Sequence, residues 1–369
     1  MVSQNNFWQG KKVFLTGHTG FKGSWLSIWL KMLGADVTGY SLLPESEPNM
    51  YTVTHNDREM RSIIGDIRDI TLLRKTIREV KPDIVIHMAA QALVRQSYHE
   101  PVETFQTNVL GTVNVLEAVR QIDSVRTVLC ITSDKCYENR EWVWKYREND
   151  PMGGWDPYSA SKGCSELIVA SYRNSFFNND LYDQHGVAVA SARAGNVIGG
   201  GDWGADRLIP DIVRSFSEGK SVLIRNPGAV RPWQHVIDLL RGYMLLTERL
   251  YEKGPEYGEA WNFGPGDDDE RSVREIVDSL AKLWGRGASW KLDTNEQLHE
   301  AYTLKLDSSK SRSRLSWHPL FSMDLALELV TEWYKQYYSG DKPPREITEE
   351  QIRRMQAQTA DTKLKFTTE

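Results

Sequence analysis

The sequence predicts an α/β protein: a doubly wound parallel sheet with a second, smaller and partly interleaved domain. Two observations support this fold class. Short apolar segments alternate with helix-like segments through the first half of the chain, a pattern typical of parallel sheets covered by helices on both faces. In addition, the first apolar segment, at residues 11–16, leads through glycines at three-residue spacing into a helix-like segment. We therefore expect a nucleotide-binding unit at the start of the chain.

The glycine loop has the sequence Gly17-His18-Thr19-Gly20-Phe21-Lys22-Gly23. In such a loop, Gly17 permits the tight turn, Gly20 lets the backbone approach a pyrophosphate, and Gly23 allows the helix to pack against the strand. The free N–H groups at the start of the helix would face the phosphates. A glycine-rich loop with an ordinary helix cap is the alternative. The interpretation as a dinucleotide site assigns cofactor contacts to Gly17, Thr19, Gly20, Phe21, Lys22 and Gly23.

The second strand, at residues 35–41, lacks the acid that normally binds the ribose hydroxyls of NAD. The strand ends in Tyr40 and Ser41, whereas Asp36 lies at its beginning, where we interpret it as a turn residue. No arginine nearby would receive the extra phosphate of NADP, although Lys22 in the loop could. This strand end favours NAD over NADP and predicts that the cofactor is held loosely.

Two further strands, at residues 62–67 and 83–90, continue the alternation on either side of a helix. Asp66, at the tip of the third strand, either contacts the adenine or caps the next helix. Small side chains at the tip of the fourth strand suit close passage of a cofactor. The cofactor contacts expected at these two tips are Asp66, Ile67, Ala89 and Ala90.

The later elements follow the same rhythm, with an amphipathic helix at residues 108–122, a fifth strand at 125–132 and a sixth at 186–193. Beyond residue 193, prolines separate shorter elements, and we expect the second domain there. Residues 1–192, with a returning segment at about 230–260, are expected to form the NAD-binding Rossmann domain. Residues 193–229 and 261–345 would form the substrate domain, and residues 346–369 a tail that is either a surface helix or partly mobile.

Charge and composition favour a small-molecule partner. The 369 residues include 45 Lys and Arg against 50 Asp and Glu, a formal net charge of −5, which provides no electrostatic footprint for nucleic acid or for an anionic membrane. No apolar run approaches the roughly 18 residues of a membrane span. The polar first residues lack the pattern of a secretory signal. We therefore expect a cytoplasmic protein.

The cysteines and histidines do not favour a metal site. Cys130, Cys136 and Cys164 have neither disulfide-framework nor zinc-ligand spacing, and we interpret them as reduced and structural. His87 and His235 lack ligand spacing and a carboxylate cluster, which predicts histidines of the core or of loops. We expect no metal.

Tyr158 and Lys162 are the second strong signal. Residues four apart lie on one face of a helix and can share a site. The charge of the lysine would favour the phenolate, and would bring a phenol with an ordinary pKa of about 10 towards use as a base near neutral pH. An ordinary amphipathic helix start is the alternative for this pair alone.

The order of the two motifs, with the glycine loop first and Tyr158-x-x-x-Lys162 after the fifth strand, resembles the extended short-chain dehydrogenases/reductases. In that family a Ser or Thr at the end of the fifth strand bonds the substrate hydroxyl, which maps onto Ser133. The resemblance implies that Tyr158, Lys162 and a bound nicotinamide oxidise a sugar carbinol. It also places Arg193 among the cofactor contacts.

The residues after Ser133 resemble the nucleotide-sugar 4,6-dehydratase branch, which has an acid/base pair where epimerases have small apolar residues. Oxidation at C4 acidifies the C5 hydrogen, a base removes it, an acid protonates the departing C6 hydroxyl, and hydride returns to C6. The resemblance implies Asp134 as the acid and Lys135 as the base, and a surface ion pair or turn is the alternative. Most dehydratases of the branch have Asp-Glu, so Lys135 is a departure that leaves the individual roles open.

The Ser-Asp-Lys variant is similar to the CDP-glucose 4,6-dehydratases, as are residues 17–26, 193–203 and 231–236. This resemblance implies conversion of CDP-glucose to CDP-4-dehydro-6-deoxyglucose, for deoxysugars of bacterial surface polysaccharide. A 4-epimerase, or a 4,6-dehydratase of another nucleotide sugar, is the alternative. The resemblance also implies a homo-oligomer, a dimer or tetramer, formed through the helices at 108–122 and 158–176. It assigns substrate contacts to Ser133, Asn196, Arg207, Arg231, His299 and Tyr302.

Overall fold

The computed structural model describes residues 6–266, 269–285, 287–295 and 303–366. Within these ranges, every helix is too short or too polar to span a bilayer. The strands are β1 (Lys12–Thr16), β2 (Asp36–Ser41), β3 (Arg61–Ile64), β4 (Ile84–His87), β5 (Thr127–Ile131), β6 (Ala188–Ala194), β7 (Val197–Ile198), β8 (Val222–Ile224), β9 (Val230–Arg231), β10 (Gln234–His235), β11 (Ala260–Phe263), β12 (Arg271–Ser272) and β13 (Trp290–Leu292).

The helices of the described residues alternate with these strands in the first half of the chain and predominate at its end. They are α1 (Phe21–Met32), α2 (Met50–Val53), α3 (Ile70–Val80), α4 (Val94–His99), α5 (Pro101–Phe105), α6 (Gly111–Val119), α7 (Pro157–Ser175), α8 (Tyr182–His185), α9 (Leu208–Ser217), α10 (Val236–Lys253), α11 (Val273–Trp284), α12 (Ser309–Leu315), α13 (Met323–Ser339) and α14 (Pro344–Phe366).

The central sheet of the described residues has seven strands in the order β11-β6-β5-β4-β1-β2-β3. β1 pairs in parallel with both β2 and β4, so the chain winds outward from β1 in both directions. Ligands of doubly wound sheets bind at the carboxyl ends of the strands, at the point where the winding reverses. The predicted fold class is confirmed, and the site is expected beside the ends of β1 and β4.

Both faces of the sheet are covered by helices. Successive side chains of a strand point to opposite faces, and in β1 the residues Val13 and Leu15 join one core while Phe14 joins another. The larger core contains buried tryptophans of α1 and α13, such as Trp29 and Trp333. The smaller core lies under α3, α6 and α7. These two cores hold the strand ends, and therefore the site, on a rigid support.

Two elements differ from the sequence-based expectation. The helix expected at residues 108–122 is a π-helical turn at Gln106–Leu110 followed by α6, which ends at Val119. β11 is an unexpected edge strand that pairs in parallel with β6, and the domain boundary expected at about residue 260 falls within it. Four residues with alternating character are too few to identify a strand from sequence. The division into domains stays a prediction.

The smaller strand pairs, β7–β10, β9–β12 and β8–β13, lie outside the central sheet. α10 packs against β5 and β6, and α14 packs against α13 and α1. Of the two alternatives for the tail, a surface helix or a partly mobile segment, the structure has a helix, α14, which extends to residue 366. Its first half is docked through Ile347, Ile352 and Met355, which are buried.

Candidate active site

The glycine loop connects β1 to α1 at the carboxyl edge of the sheet. Gly17 has a φ of +77°, and a β-carbon on it would stand 2.7 Å from the amide nitrogen of Ala89. A β-carbon on Gly23 would stand 2.1 Å from the carbonyl oxygen of Gly17. The turn and the close packing of α1 therefore require these two glycines, as predicted. α1 begins at Phe21 without a side-chain cap, which leaves its first amides suited to an anion.

The end of β2 is tied to the glycine loop through Thr19. The hydroxyl of Thr19 lies 2.9 Å from that of Ser41 and donates to the carbonyl of Leu42 at 2.9 Å. Hydroxyls thus occupy the place where NAD-binding folds usually have an acid. The interpretation of Asp36 as a turn residue is wrong, because it is the first residue of β2 and pairs with Lys12.

Asp66 does not cap the following helix. Asp69 caps α3 by accepting from two N–H groups of its first turn at 3.0 Å. Oδ2 of Asp66 instead lies 2.6 Å from Nη2 of Arg68. Burial raises the pKa of Asp66, but the hydrogen bonds and charge of Arg68 outweigh burial and lower it overall. The helix-cap alternative is wrong, and the adenine contact stays a prediction.

The other predicted cofactor contacts lie at the same edge of the sheet. Ala89 and Ala90 follow β4 and are half-buried, and the N–H of Ala89 donates to the hydroxyl of Thr16 at 3.1 Å. Ile67 is buried against α6, where a β-carbon on Gly111 would stand 2.5 Å from its Cδ1. Their positions fit a cofactor that crosses the strand ends, and the contacts themselves stay predictions.

The acid/base turn, residues 133–135, follows the end of β5. The hydroxyl of Ser133 donates to Oδ1 of Asp134 at 3.0 Å and accepts from the N–H of Lys135 at 3.2 Å. Asp134 is 3% exposed. Burial raises the pKa of Asp134 above its ordinary value, although the charge of Lys135 and the Ser133 hydrogen bond oppose this. A carboxyl that retains its proton more readily is suited to act as an acid.

Tyr158 lies in the first turn of α7, which Asp156 caps by accepting from the N–H of Ser159 at 2.9 Å. Burial raises the pKa of Tyr158 to about 12, and a hydrogen bond with Ser133 offsets part of this effect. The expected lowering of the phenol pKa by the neighbouring lysine is not met. The physical reason is that burial removes the water that would stabilise the phenolate.

Lys162 lies one helical turn after Tyr158 and is buried. Its Nζ donates to the carbonyl oxygen of Ile131, at the end of β5, at 3.5 Å. Burial lowers the pKa of Lys162 to about 8, against the opposing charge of Glu166. The tyrosine, the lysine and the acid/base turn therefore meet at the end of β5, as the motifs predict.

Lys22, in the glycine loop, interacts by charge with the predicted catalytic residues. Burial lowers the pKa of Lys22 to about 8. The charged groups that act on it come from α7, from the turn after β5 and from the region that leads into α9: Lys162, Arg207, Asp134 and Asp202. Lys22 of the glycine loop therefore lies close enough to the predicted catalytic residues Asp134 and Lys162 for their charges to act on it.

Three of the predicted substrate contacts lie in the described part of the chain. Arg207 precedes α9, and its Nη1 lies 3.1 Å from Oδ2 of Asp202. Arg231, in β9, is half-buried and acts on Asp134 by its charge. Asn196 lies in the half-buried segment between β6 and β7. Both arginines could meet an anionic substrate, and these contacts stay predictions.

Arg193 was predicted to contact the cofactor, but its guanidinium binds other side chains of the protein. Its guanidinium is buried, with Nη2 at 2.8 Å from Oε2 of Glu166, and it donates through Nη1 to the hydroxyl of Tyr137 at 2.7 Å. These partners lie within the protein, so the side chain is part of an internal network. His299 and Tyr302, the remaining predicted substrate contacts, lie outside the described residues.

Comparison with known proteins gives the family. The family model described as GDP-mannose 4,6 dehydratase matches residues 14–330. The CDP-glucose 4,6-dehydratase of Salmonella typhimurium is 56% identical to this chain over 336 residues, which cover 91% of this chain and 94% of that protein. The chain belongs to the nucleotide-sugar 4,6-dehydratase family. The resemblance to extended short-chain dehydrogenases/reductases is confirmed.

Solved structures agree with this assignment. A dTDP-glucose 4,6-dehydratase from Streptomyces venezuelae, solved with NAD bound, superposes with a TM-score of 0.74 at 26% identity, covering 90% of this chain and 99% of that one. A UDP-glucose 4-epimerase from Thermotoga maritima, solved with UDP-glucose, has a TM-score of 0.74 at 22% identity, covering 88% and 99%. The likeness to the epimerase concerns the fold alone.

Sequence reasoning misses three residues of this dehydratase-family site. Asp202 pairs with Arg207, Gly195 lies against Asp134, and Glu166 accepts the guanidinium of Arg193. Glu166 could have been identified from the sequence, because it follows Lys162 by four residues and therefore lies on the same face of α7. The other two depend on contacts across loops, which no local spacing indicates.

The histidines that were considered as metal ligands are core residues, as predicted. Nδ1 of His87 lies 2.8 Å from the hydroxyl of Thr16, and His235 caps α10 by accepting from the N–H of Ile237. Both side chains are buried. They stabilise the ends of a strand and a helix.

Proposed function

We propose that this protein is a CDP-glucose 4,6-dehydratase, which converts CDP-glucose to CDP-4-dehydro-6-deoxyglucose and water. The observation that carries the proposal is the buried Asp134, with a raised pKa, directly beside the Ser133 hydroxyl that bonds Tyr158. A 4-epimerase needs the tyrosine but has no use for a protonated acid beside it. The choice of cytidine as the nucleotide rests on the relative with 56% identity.

The cofactor is NAD. Its fit to this chain is supported by the glycine loop, where α1 begins without a side-chain cap and Gly17 and Gly23 leave no room for a β-carbon. The first amides of α1 would hold the pyrophosphate. Thr19 and Ser41 would offer hydroxyls near the adenosine ribose. When bound, NAD supplies the acceptor for hydride from C4 of the sugar and the donor of hydride to C6.

Oxidation of the sugar uses the residues of α7 and Ser133. Ser133 binds the C4 hydroxyl, and Tyr158 takes its proton as hydride leaves C4. A phenol with a pKa of about 12 requires positive charge nearby to act as this base, and Lys162 is the protein cation one turn away. The oxidation site therefore depends on the buried face of α7.

Elimination of water uses the acid/base turn. Lys135 takes the proton from C5, which the C4 carbonyl has acidified, and Asp134 donates a proton to the departing C6 hydroxyl. Burial supports the assignment of Asp134 as the acid, because it raises the pKa of the carboxyl. Lys135 returns its proton to C5 as C6 is reduced, and the proton held by Tyr158 replaces the one lost by Asp134. Bound NAD would supply the hydride for C6, so its oxidation state would be restored in every turnover.

Substrate phosphates would be bound by Arg207 and Arg231, whose planar guanidinium groups suit bidentate contacts, with Asn196 beside them. The enzyme would act in the cytoplasm as a homo-oligomer. Support for an interface on α5 to α7 comes from exposed apolar side chains there, at 37–68% exposure: Val102, Phe105, Leu110, Leu167 and Phe176.

The test is to incubate the purified protein with NAD and, separately, with CDP-, dTDP-, UDP- and GDP-glucose, and to follow product mass and reduced cofactor. Loss of one water from CDP-glucose without accumulation of NADH is the expected result. An unchanged mass with altered stereochemistry at C4 would replace the proposal with an epimerase. Water loss from another nucleotide sugar would correct the nucleotide, and no reaction with any of the four would overturn the proposal.

A further inference from the structure

We propose that Glu166 is a positioning residue, which fixes the acid/base turn at residues 133–135 relative to the tyrosine and lysine of α7. The inference rests on the proposed function, because it concerns how the residues for oxidation and for elimination are held in one geometry. Glu166 does not contact the substrate in this proposal. It acts through the two residues that flank the turn.

The residue before the turn is held directly. The hydroxyl of Thr132 donates to Oε1 of Glu166, and Thr132 is the residue that connects β5 to Ser133. The other carboxylate oxygen, Oε2, accepts from the hydroxyl of Ser191 at 2.8 Å and from Nη2 of Arg193 at 2.8 Å. Both oxygens of the carboxylate are therefore engaged, and its orientation is set from two sides.

The residue after the turn is held through Arg193. Nη1 of Arg193 donates to the hydroxyl of Tyr137 at 2.7 Å, and that hydroxyl donates to Oδ1 of Asn262 at 2.7 Å. Tyr137 follows the short 3-10 turn Asp134–Cys136 and is 1% exposed. One carboxylate thus anchors both ends of the segment that carries the acid and the base.

Glu166 lies on the same face of α7 as Tyr158 and Lys162, the residues proposed for oxidation. Tyr158, Lys162 and Glu166 succeed one another at intervals of four in α7, so their side chains point in the same direction. A shift of the turn relative to α7 would therefore change the distance between the two sets of catalytic groups. Glu166 prevents that shift by linking the turn to the helix itself.

The carboxylate of Glu166 stays ionised. Burial raises the pKa of Glu166, but the charge of Arg193 and the hydrogen bonds from Arg193, Thr132 and Ser191 outweigh burial and lower it overall. A segment that loses its hydrogen bond to this network is no longer fixed relative to α7, whereas the carboxylate itself is still held by its remaining donors. Removal of a donor on the turn segment should therefore displace the turn, whereas removal of a donor elsewhere should not.

The experiment compares three variants that each remove one hydroxyl from this network. Thr132→Val and Tyr137→Phe detach the two flanks of the turn. Ser191→Ala is the matched control, because it removes a donor to the same carboxylate from β6 without touching the turn. For each variant, kcat, KM for CDP-glucose and the fraction of reduced cofactor in the steady state are measured, together with the melting temperature.

We expect kcat of Thr132→Val and Tyr137→Phe to fall on the order of tenfold, with KM within about twofold of the unmodified enzyme, since misplacement of a catalytic group by less than 1 Å has effects of this size. Reduced cofactor should accumulate, because elimination loses the placement of both Asp134 and Lys135, whereas oxidation keeps its base on α7 and loses only the placement of Ser133. Ser191→Ala should have the kcat of the unmodified enzyme and no accumulation.

Equal kcat values for the three variants would overturn the inference, and so would loss of kcat without accumulation of reduced cofactor. Both outcomes are distinct from failure of the proposed function, in which the unmodified protein would not dehydrate CDP-glucose at all. If Tyr137→Phe does not fold, Thr132→Val against Ser191→Ala decides the question, because valine has nearly the shape of threonine.

Discussion

Gly195 lies directly against Asp134: a β-carbon at position 195 would stand 3.0 Å from Oδ2 of Asp134. It would also stand 2.4 Å from Cγ of Pro232, which prevents the added methyl group from moving away from the carboxyl. The acid at the end of β5 therefore has room for its side chain only because the loop after β6 has glycine there.

Gly195→Ala should displace the Asp134 carboxyl and lower kcat by roughly tenfold, with a smaller effect on the binding of the nucleotide sugar. Steady-state kinetics on a sample whose melting temperature has been checked measures this effect. An alanine variant with unchanged kcat would mean that the position of the Asp134 carboxyl is not critical.

Asp134→Asn should separate the two halves of the reaction. The amide has nearly the same shape as the carboxyl but cannot supply the proton for the C6 hydroxyl, so oxidation at C4 should continue while elimination is lost. We expect kcat to fall on the order of a hundredfold or more, and reduced cofactor to accumulate on the enzyme in a single turnover. Equal loss of oxidation and elimination would contradict the division of roles.

Tyr158→Phe should remove the base for the C4 hydroxyl and lower turnover by about 100- to 10,000-fold, without accumulation of reduced cofactor. The matched control is Tyr172→Phe in the same helix, whose hydroxyl donates to Glu117 at 3.5 Å. The control should retain turnover. If Tyr158→Phe retained it as well, Tyr158 would not be the base that takes the proton of the C4 hydroxyl.

Lys22 should make the stability of the cofactor-free protein depend on pH in the alkaline range. Its pKa is about 8 in the folded protein, against an ordinary value of 10.5. Below pH 8 the lysine is charged in both states, and the folded state bears the full cost of burying the charge. Between about 8 and 10.5 the unfolded chain binds more protons than the folded protein, so the free energy of unfolding rises with pH.

The measurement is the free energy of unfolding from denaturant titration at several pH values, for the natural protein and for Lys22→Met. The difference between them should change in favour of the natural protein as pH rises from about 8, by at most about 1.4 kcal/mol per pH unit for one proton. Lys162, whose pKa burial also lowers to about 8, acts with the same sign and remains in the variant. A difference that is flat or of opposite sign would show that folding does not lower the pKa of Lys22.

Much of the site could be predicted because its residues are close together in the chain. The glycine loop, the Ser133-Asp134-Lys135 turn and the Tyr158/Lys162 pair are each defined within seven residues, and their place at the carboxyl ends of strands follows from the alternation of elements. The helix-cap role of Asp66 was wrong because Asp69, three residues later, competes for the same N–H groups and is better placed to accept them.

The sequence by itself determined the doubly wound sheet and the glycine loop, and it predicted which groups carry out catalysis, since periodicity and glycine spacing are properties of consecutive residues. Only the tertiary structure decided that β11 completes the sheet, that burial raises the pKa of Tyr158, and that Glu166 and Arg193 form one buried pair. These features depend on which distant segments exclude water from each other. That exclusion arises from packing and has no signature in a local pattern.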